Sequence, residues 1–188
     1  FDHIRISSGL MSLNADGINL SNSSNMTFTN NEIGVAGDYC LSCTNCDFSE
    51  HSGNVLNGAE YGIRASSGYY QTIGNNEISG YQEYGIYFQS SPYSVIHDNH
   101  LVGSPDGCWK YAIYNESNDT YAEIRDNDIE YLSSNCDNDD QNGINVRDAE
   151  VVGNSITWSG SAGGYGVFGY RSKVSGNTFS SEEGYGHG

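Results

Sequence analysis

Three stretches decide how this chain folds: Ile73-Gly-Asn-Asn76-Glu-Ile78, Ile96-His-Asp-Asn99-His-Leu101 and Ile124-Arg-Asp-Asn127-Asp-Ile129. Each has an apolar residue, two spacers, an asparagine, one spacer and a second apolar residue. The frame recurs on either side as Phe28-Thr-Asn-Asn31-Glu-Ile33, Val151-Val-Gly-Asn154-Ser-Ile156 and Val174-Ser-Gly-Asn177-Thr-Phe179, with a degenerate copy at Asn54 and Leu56. Successive asparagines lie 23, 22, 23, 28, 27 and 23 residues apart. A near-fixed period of this size marks a solenoid, in which each repeat is one supersecondary unit stacked on the next. Ahead of each asparagine stands a second signature, a small residue followed by an apolar one: Gly17-Ile18, Gly62-Ile63, Gly85-Ile86, Ala112-Ile113, Gly143-Ile144 and Gly166-Val167, with Tyr39-Cys40 in the second place.

Short period-two stretches such as Ile86-Tyr-Phe88 and Ile144-Asn-Val146 send alternate side chains to one face. None is long enough to bury that face alone, so successive copies must stack as parallel strands about 4.8 Å apart. Two interior columns are expected. One runs Ile18, Cys40, Ile63, Ile86, Ile113, Ile144, Val167, and the other Ile33, Leu56, Ile78, Leu101, Ile129, Ile156, Phe179. The recurrent asparagines Asn31, Asn54, Asn76, Asn99, Asn127, Asn154 and Asn177 form a ladder whose amides satisfy one another and the corner backbone, at about 1–3 kcal/mol for each group otherwise left unpaired. The fold class is all-β: a right-handed single-stranded parallel β-helix of about seven coils, one domain over 1–188, coiled from about 16 to 180. A β-sandwich would share the composition but not a phased asparagine in every turn. Insertions near 103–110 and 133–141 lengthen two coils at the same corner, each carrying one cysteine, so Cys108 and Cys136 are expected to bridge adjacent coils.

Composition agrees with a narrow solenoid. Apolar residues are 36% and charged residues 16% of 188, low for an ordinary globular domain but sufficient where each strand buries two or three side chains. The net charge of −17, with only 7 Lys and Arg scattered from Arg5 to Lys173, excludes nucleic acid as a partner, since phosphate contacts need clustered cations. No run of 18 apolar residues provides a membrane span. Five cysteines and the sequons at Asn19, Asn22, Asn25, Asn115 and Asn118 fit an extracellular or cell-surface glycoprotein.

The phased asparagines and columns resemble the right-handed parallel β-helix of the pectin-lyase-like superfamily. Within it, Asn14-Ala15-Asp16-Gly17, Gly37-Asp38-Tyr39-Cys40, Glu50-His51-Ser52-Gly53 and Gly62-Ile63-Arg64 are similar to the polygalacturonase motifs N-T-D-G, G-D-D-C, G-H-G and R-I-K. The resemblance implies Asp16 and Asp38 as acid and base on a glycosidic bond, His51 as their support and Arg64 as a substrate clamp. The pattern departs where Tyr39 replaces an aspartate, Glu50 replaces a glycine and no lysine follows Arg64.

Other groups offer different chemistry. Cys40, Cys43, Cys46 and His51 have the make-up of a zinc set, against a Cys43–Cys46 or intermolecular bridge with Cys40 buried. Asp137, Asp139 and Asp140 are a candidate calcium site. Arg125 and Arg147 read as braces for acidic neighbours. Tyr61, Tyr84, Tyr111 and Tyr165 share one phase and stack as an outer column able to meet sugar rings or another subunit. With no complete catalytic set, and no helical cap at Leu10-Met-Ser-Leu13 or beyond Ser180, the leading expectation is an exported structural subunit that self-associates end to end or side by side, in a fibre, sheath, surface layer or spike. The alternatives are a hydrolase, lyase or epimerase acting on acidic polysaccharide, or a glycan-binding module without catalysis.

Overall fold

Every coil has three short strands, and like strands of successive coils pair in parallel to give three sheets. Sheet I runs through Ile18–Ser21, Tyr39–Thr44, Tyr61–Ser66, Tyr84–Gln89, Tyr111–Tyr114, Gln141–Arg147 and Gly164–Tyr170. Sheet II runs through Thr27–Thr29, Glu50–Ser52, Thr72–Gly74, Val95–His97, Ala122–Arg125, Ala149–Val152 and Lys173–Ser175. Sheet III has eight strands, Arg5–Ser7, Glu32–Gly34, Val55–Asn57, Glu77–Tyr81, His100–Gly103, Asp128–Tyr131, Ser155–Trp158 and Thr178–Ser181. The computed structural model describes residues 5–7, 16–34, 37–104, 111–115, 117–118, 121–131, 141–158 and 164–181, which make a parallel β-helix of about six turns. Both insertions leave the corner from sheet III to sheet I. Cys108, Cys136, Asp137, Asp139 and Asp140 lie outside the described residues, so their expected bridge and calcium site do too.

Stacking in register builds the core. The column Ile33, Leu56, Ile78, Leu101, Ile129, Ile156, Phe179 pairs as expected. The sheet I column differs at one position, because Ile18 pairs with Leu41, and Leu41 with Ile63. Cys40 instead falls beside Gly17, whose added Cβ would lie 2.2 Å from the Cys40 carbonyl oxygen. Both Cys40 and Leu41 are buried, so either satisfies an apolar pattern, and a one-residue slip goes unseen until register is fixed. Sheet II supplies a third column, Phe28, His51, Ile73, Ile96, Ile124, Val151, Val174, with a histidine in an apolar slot.

The asparagine ladder is continuous. Each Nδ2 donates to the Oδ1 of the next, from Asn31 to Asn54 at 2.8 Å, through Asn76, Asn99, Asn127 and Asn154, to Asn177 at 2.9 Å. The residue before each rung has a left-handed backbone: Asn30, Gly53, Asn75, Asp98, Asp126, Gly153 and Gly176, at φ between 52° and 70°. Only Gly, Asn and Asp adopt this routinely, which explains why the spacer before the ladder asparagine draws from those three.

Candidate functional site

The four residues of the polygalacturonase resemblance do not converge. Asp16 is exposed at the entry to sheet I, where its Oδ1 accepts from the backbone N–H groups of Asp38 (3.0 Å) and Tyr39 (3.2 Å). It therefore braces the next coil's corner. Asp38 is exposed one coil along. Arg64 points outward from sheet I, its guanidinium 5.2 Å from the centre of the Tyr39 ring. His51 lies on the opposite side of the wall, fully buried in the sheet II column and stacked 4.9 Å from Phe28. Burial drops its pKa to about 4, and Gln71 offsets only part of that, since neither ring nitrogen has a hydrogen bond of good geometry. A neutral imidazole sealed in the core cannot support carboxylates outside it.

Nor does the zinc set assemble. Cys43 and Cys46 form a disulfide, while Cys40 is a buried thiol outside it, which is the first of the two bridges expected from sequence. Of the sequon asparagines, Asn19, Asn22, Asn25 and Asn118 are exposed, but Asn115 is buried with its Oδ1 accepting from the Ser117 N–H at 2.7 Å. Arg125 does brace acids, contacting Glu123 at 3.0 Å, Asp126 at 3.3 Å and Asp98 at 3.8 Å. Arg147 lies over the Tyr170 ring at 5.4 Å.

Three outer features do bring side chains together. On sheet III, His100 pairs in register with Asp128, and Glu130 projects from the same later strand. Their donor atoms all lie within 4.8 Å of one another, with His100 Nε2 3.4 Å from Glu130 Oε1. The signal for this group lies in the phase of the repeat, since His100 precedes Asp128 by the same interval as Asn99 precedes Asn127.

The outer face of sheet I is aromatic. Ring centroids in the column Tyr39, Tyr61, Tyr84, Tyr111 are 5.2, 5.1 and 5.8 Å apart, and Asn142 separates this run from Tyr165. Tyr87 and Tyr114 form a parallel column at 5.8 Å that continues in register through Asn145 to the exposed Phe168, flanked on the same strand by the exposed Tyr165 and Tyr170. Burial and the carboxylates of Glu83 and Glu60 hold the Tyr61 phenol protonated well above its ordinary range.

A second aromatic ladder, unnoticed in the sequence, climbs the corner between sheets I and II. Phe48, Tyr70, Tyr93 and Tyr121 stack at 5.3, 5.1 and 5.7 Å, with planes within 14° of parallel. Their spacings repeat those from Asn54 to Asn127, so the phase of the asparagines carried this signal. Above Tyr121 lies an open cavity of about 410 Å³ lined by charged side chains of its own coil and the next two.

Among the described residues no helix is long and apolar enough to cross a membrane. No curated protein and no solved structure matches the chain. A family model described as "Periplasmic copper-binding protein (NosD)" matches residues 2–135, most of the sequence. The metal in that description is copper and not the calcium expected from the acidic loop. The match and the coiled architecture agree: the chain belongs to the NosD family of right-handed parallel β-helices and is an exported β-helix protein.

Proposed function

We propose that the protein is a non-catalytic structural subunit that associates side by side with further copies of itself through the outer face of sheet I. The observation that carries this is a segregation of charge. The chain has 24 Asp and Glu, yet the seven strands of sheet I contain none, whereas sheets II and III carry carboxylates in several strands each. A molecule of net charge −17 repels its own copies. The face able to meet another copy is the one whose strands carry no acids, with Glu60 and Glu83 only at its edge beside Tyr61, and here that face is lined with tyrosine, a residue favoured at interfaces. Sedimentation of the purified chain across a range of concentrations tests the reading. Oligomers that Tyr84→Glu and Tyr87→Glu together dissolve would support it, and a monomer at every concentration would end it.

A second reading is favoured by His100, Asp128 and Glu130. The family description names copper, and an imidazole with two carboxylates is a donor set suited to Cu(II). Thiolate ligands for Cu(I) are not on offer among the described residues, since Cys43 and Cys46 are oxidised together and Cys40 is buried. In this reading His100 supplies nitrogen, the carboxylates supply oxygen, and the protein holds the ion on its flank. Titration with Cu(II), followed by electron paramagnetic resonance, should show one nitrogen-bearing site that His100→Ala removes. An unchanged spectrum in the variant would reject it.

A further inference from the structure

The corner between sheets I and II keeps an aligned position in left-handed backbone through six successive coils, Phe48, Tyr70, Tyr93, Tyr121, Asp148 and Arg171, at φ of 54°, 55°, 61°, 46°, 50° and 53°, while Asn45, Ser67 and Ser90 take the same conformation three residues before the first three. For bulky aromatics this conformation is costly, about 1–3 kcal/mol each, and such strain is a pointer to function. Four aromatics in succession hold it, with rings between 46% and 61% exposed. Within the ladder each ring covers its neighbour's face, leaving edges toward water. The run stops at Tyr121, because Ala122 pairs with Ala149 and the corner residue of that next coil is Asp148. The outer face of Tyr121 is therefore the one ring face that the ladder leaves open at this end.

That face borders the 410 Å³ cavity, whose polar lining is Glu123, Asp148, Glu150, Arg171 and Lys173. The volume lies within the range of small-ligand sites. Its charges are already matched. Arg171 pairs with Asp148 and Lys173 with Glu150 across successive coils, while Glu123 pairs with Arg125. A free anion entering would face three carboxylates, and a free cation would face a guanidinium and an ammonium. A neutral ring bearing hydroxyls meets neither penalty. Its C–H face can lie on Tyr121, and its hydroxyls can donate to the carboxylates and accept from the Arg171 and Lys173 N–H groups.

We infer that this cavity is a binding subsite for a neutral pyranose, entered from the open face of Tyr121. The site adjoins the sheet I face only where Arg171 lies over Tyr170 and is apart from His100, and it rests on neither of those readings. The test uses the whole 188-residue chain with neutral cello-, xylo-, manno- and maltotetraose, and with tetragalacturonate as the charged comparison, read by calorimetry and by saturation-transfer NMR. At least one neutral oligosaccharide should bind, with sugar-ring protons saturated from aromatic resonances. Tyr121→Ala should weaken binding about 3- to 10-fold, the range expected for one aromatic stacking contact. Tyr121→Phe should keep it, and Tyr70→Ala, within the covered stack, should leave it unchanged. Arg171→Gln gives an independent loss that leaves the ladder in place. No binding by any neutral oligosaccharide, tighter binding of the galacturonate, or full affinity in a folded Tyr121→Ala would each overturn the assignment.

Discussion

Replacing Asn99 by leucine tests the ladder where it is most enclosed. Asn99 is 1% exposed. Its Oδ1 accepts from the Asn76 backbone N–H at 3.1 Å and from Asn76 Nδ2 at 2.9 Å, and its own Nδ2 donates to the Ile73 carbonyl and to Asn127 Oδ1, both at 2.9 Å. Leucine keeps the same branched heavy-atom skeleton, with bulkier methyl groups, and makes none of these bonds. Not every partner is orphaned. Asn76 Nδ2 keeps the His51 carbonyl at 2.9 Å, and Asn127 Oδ1 keeps the Asn99 backbone N–H at 3.1 Å. What is lost outright is the acceptor of the buried Asn76 N–H and one donor to the Ile73 carbonyl. At about 1–3 kcal/mol per buried group left unsatisfied, the cost is roughly 2–5 kcal/mol. For a chain of this size that lowers Tm by about 5–15 °C. Since neighbouring coils carry the coupling in a solenoid, the Asn76 amide should also exchange its hydrogen much faster. Asn118→Leu, at an exposed position, is the control and should melt within about 1–2 °C of the parent. Equal melting temperatures for the two variants, or an Asn76 amide as protected as before, would refute the ladder's energetic role.

His51 supplies a pH dependence. Its folded pKa of about 4 lies below the ordinary 6.5, so between those values the unfolded chain binds a proton that the folded chain refuses, and stability must fall as pH drops from about 6.5 to 4, by about 3 kcal/mol in all. His51→Leu should abolish that slope in urea titrations at stepped pH; a slope unchanged in the variant would show that other groups cause it. Gly62→Val should destabilise by about 1–3 kcal/mol through overpacking, because its Cβ would meet Ile78 Cγ2 at 2.3 Å and the Gly85 carbonyl oxygen at 2.6 Å, whereas Gly34→Val, with nothing within 4 Å, should melt no lower than the parent. Alkylation of the native protein followed by peptide mapping should leave Cys40 unmodified and recover Cys43 and Cys46 as one linked species; labelling of Cys40 without denaturant would contradict its burial.

The inside of this molecule was legible because the interior of a solenoid is periodic. Asn76, Asn99 and Asn127 could be placed from spacing alone, and with them the sheet III column from Ile33 to Phe179. Errors arose where one residue type satisfied two slots. Cys40 and Leu41 are both apolar and adjacent, so only the pairing of Ile18 with Leu41 decides which faces Ile63. His51 escaped the core because a polar ring in an apolar column breaks the pattern that reveals the column. The stacking partner Phe28 was visible in sequence, but its register with His51 was not.

The outside was legible only where it kept the same phase. Asp16-Gly17-Ile18 looks like a catalytic signature, yet each residue has a local reason to be there. The aspartate accepts two corner N–H groups, the glycine passes within van der Waals distance of the next coil's carbonyl, and the half-buried isoleucine packs against the core. Chemistry in a β-helix must therefore be sought in outward residues that the coil itself does not require. The corner aromatics meet that criterion. A left-handed corner is met more cheaply by Asn, as at Asn25, or by Asp, as at Asp148. Phe48, Tyr70, Tyr93 and Tyr121 hold the same geometry at greater backbone cost while leaving about half of each ring in water. Ring-on-ring stacking returns about 0.5–1.5 kcal/mol per contact, less than or at most comparable to the strain of about 1–3 kcal/mol each ring carries. Stability alone does not select four such residues in a row, and the open face at Tyr121 is where the remaining reason is to be looked for.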